Sequence, residues 1–301
     1  MNTVEYRRNN ENRIQWFTLS AVIIYHALAV WALFTTFSWQ NVAVTAFLWW
    51  FVQSFGLGIG YHRLLTHRGF KTSKAFEYFL TFLASISMQA GAITWVTSHR
   101  IHHAFTDTDT DPHSPIKNGF WWSHIGWIFR GAAQQNDEAT HKRFSPDLMK
   151  DKVHIFLNKY YIVPTVALAA VLYLIGGYSM VLWGIFLRTT WAWHCTWLVN
   201  SATHLWGTRR FETKEDSRNN GWVALLTWGE GWHNNHHAYP TSARHGLTWY
   251  EFDINWLQLK VLEKIGLIWE MKEFDLQAYE AKQGKTIEAI AEVPDGLHQT
   301  V

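Results

Sequence analysis

One cysteine in 301 residues, Cys195, excludes an intramolecular disulfide and any CxxC motif. Charge is scarce as well: Asp, Glu, Lys and Arg make up 17% of the chain, and 26 cations against 24 acids leave a formal net charge of +2. That balance gives no basic footprint for nucleic acid. The chain holds no glycine-rich nucleotide fingerprint, no internal repeat of about 20 to 50 residues and no low-complexity segment. With no flavin, haem or nucleotide motif, the chain carries no electron source of its own. The opening MNTVEYRRNNENR does not read as a cleaved leader, because it carries acids and the apolar run behind it is too long for a signal core.

Aromatic and apolar residues are abundant instead. There are 20 Trp, and aromatics reach 17%, which suits rings lying at a membrane interface. A mean hydropathy of −0.13 conceals this, because Trp, Tyr and His score poorly on that scale. Residues 14–37 carry no charge and exceed the roughly 20 residues that cross a bilayer. Similar runs follow at 42–60, at 160–178 with Pro164 near its start, and at 179–203, where Arg188 must face the bundle or snorkel. The stretch Ala75 to Val96 holds Glu77 and Gln89 and reads as interfacial or buried.

Short connections at SWQN and around Gly177 lack Lys and Arg, whereas Arg7, Arg8 and Arg13 precede the first run and the middle region is basic. By the positive-inside rule both termini and the middle are cytoplasmic. The expected architecture is all-α and integral to the membrane, a single domain over 1–301. It has four transmembrane helices (14–37, 42–60, 160–178, 179–203), a cytoplasmic helical region from 61–155 and 204–272, and a loose polar tail over 277–301. Within it, Asp253 to Trp269 reads as a helix lying on the membrane or on the domain.

Histidine carries the chemical signal. HxxHH occurs twice, as His99/His102/His103 and His233/His236/His237, where 17 His in this length give about 0.05 copies by chance. On a helix, positions i, i+3 and i+4 share one face, so three imidazoles converge. His62 and His67 add HxxxxH, and Asn200 with His204 lies one helical turn apart. Nine histidines at the cytoplasmic ends of helices, with Asn200 beside them, exceed what one metal ion uses and point to two. Neutral imidazole suits Fe, Zn, Cu or Ni. His26, His154 and His194 read as interfacial or packing residues, and His113, His124, His141, His245 and His298 as surface or supporting ones. Asp107, Asp111 and Glu230 lie near the boxes and are candidates to hold the outer ring nitrogens.

Two other metal readings fail. DTDTD at 107–111 places Pro112 where a calcium loop needs glycine and Asn118 where it needs a bidentate Glu. Glu138/His141 and Glu230/His233 fit the Glu-x-x-His spacing of carboxylate di-iron bundles, but leave seven boxed histidines unexplained.

The strings HRLLTH (62–67), HRIHH (99–103), NSATH (200–204) and HNNHH (233–237), with DPHSP, GFWWSHIGW, TWLVNSATH and GEGWHNNHH, resemble the membrane fatty acyl desaturases. The likeness covers roughly 55–250 and is to the Δ9 group that includes stearoyl-CoA desaturase and the bacterial and plant acyl desaturases. It implies two Fe ions held by His62, His67, His99, His102, His103, His204, His233, His236 and His237, with Asn200 reaching a metal through water. It further implies an O2-dependent removal of two hydrogens from an acyl-CoA or acyl-lipid, leaving a cis bond between C9 and C10. An external donor, ferredoxin or cytochrome b5 with a reductase, would supply electrons. Trp191, Trp193 and Trp197 are candidates to line the acyl channel. The bacterial inner membrane is the expected location, with the endoplasmic reticulum as the other. A fatty acyl or alkane hydroxylase with the same centre is the near alternative, and a membrane metal-binding or transport protein the distant one.

Overall fold

The computed structural model describes residues 14–130 and 137–291. Its principal helices are α1 (Trp16–Thr35), α2 (Trp39–Thr66), α3 (Lys74–Ser85), α4 (Ala92–Phe105), α5 (Lys152–Lys159), α6 (Val163–Leu205), α7 (His233–Ala238), α8 (Ile254–Lys264) and α9 (Leu276–Ala291). The chain is mostly helical, and α1, α2 and α6 are long and apolar enough to cross a membrane. The basic residues before α1 lie outside the described residues.

At 43 residues α6 would extend about 65 Å if straight, twice the hydrocarbon core. It does not run straight. Gly176 (φ −140°, ψ 16°) and Gly177 (φ +66°, ψ −164°) leave helical geometry, the second in a conformation that only glycine adopts cheaply. Leu172 then reaches Gly184, where an added β-carbon would lie 2.6 Å from its Cδ1. In an unbroken helix those residues stand about 18 Å apart, so the chain reverses between them. The expected helices 160–178 and 179–203 are therefore the two arms of one interrupted stretch. Leu48 of α2 joins Leu172, Met180 and Ile185 in the core at the reversal.

Trp16, Phe17, Ile23, Ile24, Trp31 and Phe34 point outward from α1, the arrangement of a lipid-facing helix. Arg188 faces inward, fully buried, donating to the carbonyls of Gly184 and Ile86 at 3.1 to 3.2 Å.

Ser38 caps α2 by accepting from the Asn41 amide at 3.1 Å. From Phe51 to Thr66 the helix widens to i→i+5 hydrogen bonding. Gly56 and Gly60 lie on the face of that segment that meets α3. A β-carbon at Gly56 would come within 2.8 Å of the Ala84 backbone, so two helices approach there as only small residues permit. The 75–96 stretch accordingly breaks into α3 and α4 and is not among the helices of spanning length. Ile59, Tyr61, Leu80, Ile93, Val96 and Leu259 form the core shared by α2, α3, α4 and α8. A two-residue antiparallel pair, Lys71–Thr72 with Ile268–Trp269, fastens the segment after α8 to the start of α3.

The polar segment expected from 277 begins inside a helix. Leu276–Ala291 is helical, anchored by Tyr279 against Phe211, Tyr239 and Phe274, and three aromatic partners outweigh the polar composition that suggested a coil. Residues 292–301 lie outside the described residues. Lys71 pairs with Glu270, Lys74 with Glu77, Arg100 with Asp147, and Lys142 with Glu138.

Candidate metal centre

His62 and His67 stand five residues apart, a spacing that diverges on an α-helix. The widened turn of α2 resolves this, because the His67 amide donates to the His62 carbonyl at 3.2 Å and the rings lie 4.8 Å apart. His99, His102 and His103 occupy the last turns of α4, His204 the end of α6, and His233, His236 and His237 the short α7. The nine box histidines thus meet, and they divide into two groups. His62, His67, His99, His103 and His236 form one, and His102, His204, His233 and His237 the other, with the ligand nitrogens of each within 4.8 Å of one another. The groups adjoin where His103 stacks on His237 at 4.4 Å.

The ring nitrogens point inward. Nε2 of His236 is 3.1 Å from that of His62 and 3.0 Å from that of His103, and Nε2 of His233 is 3.1 Å from that of His204. Two imidazole nitrogens each about 2.1 Å from one metal ion and at right angles to it lie about 3.0 Å apart. Carboxylates occupy the outer nitrogens of four of these rings, while Nδ1 of His233 and of His236 is buried with no hydrogen-bond partner. Glu230 meets His62 Nδ1 at 2.5 Å, Asp107 meets His204 Nδ1 at 3.1 Å, both oxygens of Asp111 meet His102 Nδ1 at 3.1 Å, and Glu215 stands 3.5 Å from His237 Nδ1. A ring that donates from Nδ1 keeps its lone pair on Nε2. The lone pairs of His62 and His204 so placed face Nε2 of His236 and His233 at 3.1 Å, where a cation between the rings would be held. Nε2 of His67, His102 and His237 is buried with no hydrogen-bond partner, which is costly unless a metal satisfies it. The donor set therefore fits two first-row metal ions.

Electrostatics favour unprotonated rings. Burial, reinforced by neighbouring imidazoles, holds His99, His103, His233, His236 and His237 well below the ordinary value of 6.5. His102 is displaced upward, since Asp111 overcomes the effect of burial. Asp107 is buried yet held at about 2 by His204, Ser114 and the Asp216 amide, and Glu230 is held low against its burial by Arg63, His245 and His62.

Asn200 sits one turn before His204, half-buried, its carbonyl accepting from Ser123 at 2.9 Å. Trp193 and Trp197 stack on each other and bury against Val22 and Tyr25 of α1, and Trp191 meets Trp49 edge-to-face. Glu138 is on the surface with Lys142, apart from the histidines. Sequence reasoning passed over Arg63, fully buried between Glu230 and Asp253, and Glu215, which precedes its histidine by 22 positions. Arg63 carried a signal, since it directly follows a box histidine. Glu215 carried none.

A cavity of about 910 Å³ opens beside the centre, reaching His103 and His237 and walled by Arg210, Tyr239 and Tyr279.

These features have counterparts in known proteins. The family model for fatty acid desaturases matches residues 37–261. The sn-1 stearoyl-lipid 9-desaturase of Anabaena variabilis is 46% identical over 264 residues, covering 87% of this chain and 96% of that protein. The sn-2 palmitoyl-lipid 9-desaturase of Nostoc sp. (strain 36) is 42% identical, covering 86% and 91%. An acyl-CoA 5-desaturase of Anemone leveillei is 39% identical, covering 88% and 84%. With a matching model over three quarters of its length and relatives this close, the chain belongs to the fatty acid desaturase family.

Proposed function

We propose that this acyl desaturase introduces a cis double bond at Δ9 of a saturated acyl chain through two iron ions held by the two histidine groups. The observation that carries the reading is the convergence of nine imidazoles from four distant segments, with ring nitrogens facing inward. A glycerolipid substrate is favoured over acyl-CoA by the activities of the Anabaena and Nostoc relatives.

His62, His67, His99, His103 and His236 would hold one iron. His102, His204, His233 and His237 would hold the other, with Asn200 completing that smaller set through water. Bound iron supplies the O2 chemistry needed to break two unactivated C–H bonds, which no acid or base of the chain can break. Asp107, Asp111, Glu215 and Glu230 fix the tautomer and orientation of the rings they touch. His62, His102, His204, His233 and His236 are buried, which would keep bulk water from that side of the centre. Each double bond formed reduces one O2 to two waters. It consumes two hydrogens of the substrate, two protons and two electrons, the last from an external ferredoxin or from cytochrome b5 with its reductase.

Reversal of α6 at Gly177 supports four membrane crossings, two in α1 and α2 and two in the arms of α6. In that arrangement SWQN and Gly177 lie on the far side, and the histidine groups, the cavity and both termini on the cytoplasmic side of a bacterial inner membrane. Trp191, Trp193 and Trp197 would contribute to the wall along which the acyl chain lies.

The test is fatty-acid analysis with double-bond location in a desaturase-deficient host that expresses the chain with a compatible donor. New cis-Δ9 monoenes on glycerolipid, formed only with O2, are expected. A hydroxylated product would move the protein to hydroxylation with the same centre. No product from iron-loaded, reduced protein would return it to metal binding or transport.

A further inference from the structure

The two histidine groups are surrounded by unequal charge. In the four-histidine group three of the rings face a carboxylate: His102 meets Asp111, His204 meets Asp107, and His237 meets Glu215. The other partners of Asp107 and Asp111 are neutral or histidine. Asp107 accepts from Ser114 Oγ at 2.6 Å and the Asp216 amide at 3.0 Å, and Asp111 accepts from the amides of Asp107 and His113 at 2.9 and 3.1 Å. Glu215 accepts from the amide and hydroxyl of Ser217. Three negative charges therefore stand behind four ligands.

The five-histidine group has one such carboxylate, Glu230 behind His62, and it is compensated. Arg63 donates to Glu230 Oε1 from Nε at 3.2 Å and from Nη2 at 2.9 Å, and to Asp253 at 2.9 and 3.2 Å. Asn255 adds a donor to Glu230 at 2.6 Å. Arg63, Glu230 and Asp253 together carry one negative charge, shared over a guanidinium that lies inside the protein and is fully buried. A dication is attracted more strongly by the more negative surroundings, and screening is weak in a buried site. A carboxylate free of a counter-cation also makes the imidazole it touches the better donor.

On the reading of these groups as a two-metal centre, we infer that the metal positions differ in affinity. The His102/His204/His233/His237 position fills first, and Arg63 holds the second position weaker by neutralising Glu230. The chain thus passes through a state with one metal ion before the pair is complete.

Full-length protein, stripped of metal in detergent and titrated with Co2+ under absorption spectroscopy, tests this. Two resolvable steps are expected, one ion each. Asp111→Asn should weaken the first step about 10- to 100-fold, the range for loss of a partner behind a metal ligand, and spare the second. Glu230→Gln should weaken the second and spare the first. Because Glu230 also braces Arg63 and Asn255, His67→Ala provides a second variant: it removes a ligand of the five-histidine group and should leave one tight ion per chain. A single two-ion step, or a tighter step that responds to Glu230→Gln and not to Asp111→Asn, overturns the inference and leaves the two-metal reading standing. Failure of the unaltered protein to bind Co2+ overturns both.

Discussion

Nε2 of His26 lies 3.0 Å from Nε2 of His194, joining α1 to the returning arm of α6. The contact extends into a string: His194 Nδ1 is 3.0 Å from His124 Nε2, and His124 Nδ1 is 3.1 Å from Ser201 Oγ. Three histidines outside the boxes therefore serve helix packing, as hydrogen bonds between apolar helices do. Such bonds contribute about 0.6 kcal/mol each and up to about 1.7. His194→Leu, which breaks two links, is expected to lower stability by about 1 to 3 kcal/mol in detergent unfolding while metal content stays unchanged. Loss of metal in that variant would show that the string serves the centre.

His236 occupies the middle of the five-histidine group, its Nε2 between those of His62 and His103. His236→Ala is expected to abolish desaturation while leaving insertion and helical content intact, because α7 takes no part in the apolar helices. Product analysis beside circular dichroism checks this, and retained turnover would remove His236 from the ligand set.

Acid should destabilise the metal-free protein. Six box imidazoles, His67 among them, are held well below 6.5 in the folded state, so below about pH 6.5 the unfolded chain binds more protons than the folded one. Their stabilising contribution is complete above that pH and falls as the solution is acidified. Asp107, held at about 2, loses its contribution only in stronger acid, so it adds nothing to the slope between about pH 5 and 7. Melting temperatures of stripped protein should hold between about pH 7.5 and 6.5 and fall from there to about pH 5.5. A flat profile would mean that the rings are not packed together when metal is absent.

Arg63→Leu leaves Glu230 and Asp253 buried without their shared cation. Breaking a buried pair in this way costs about 3 to 5 kcal/mol, and lysine should restore only part of it, because the ammonium cannot reproduce the guanidinium fork. Thermal unfolding of the two variants gives the order; equal melting points for lysine and arginine would mean that charge alone suffices.

Membrane orientation can be read with added thiols, because the native Cys195 is buried. Gln40→Cys, in the exposed first turn of α2, should react with an impermeant maleimide from outside the cell, and Lys142→Cys only after lysis. Labelling of both from the same side would rule out the proposed topology.

The boxes were legible because i, i+3, i+4 spacing on a helix is a local property. His62/His67 was ambiguous, since its convergence depends on a widened helix that no spacing rule announces. The partners Asp107, Asp111 and Glu230 lay near the boxes in sequence and could be named. Glu215 could not, and Arg63 offered only its place beside His62, because their roles arise from tertiary contacts across 22 to 190 positions. Division of the nine histidines into five and four was likewise hidden, for adjacent residues part company: His102 goes to one group and His103 to the other. The helix over 276–291 was missed because one tyrosine packed on three distant aromatics weighs little in a composition.

Both groups draw on the same short helix. The five-histidine group needs His236, and the four-histidine group needs His233 and His237. Synthesis runs from the N-terminus, so α1, α2 and α6 are synthesised before either set of ligands exists in full. A ribosome stalled anywhere before residue 233 releases a chain that holds parts of two sites and the whole of neither. Metal acquisition in full therefore reports that translation has passed His237.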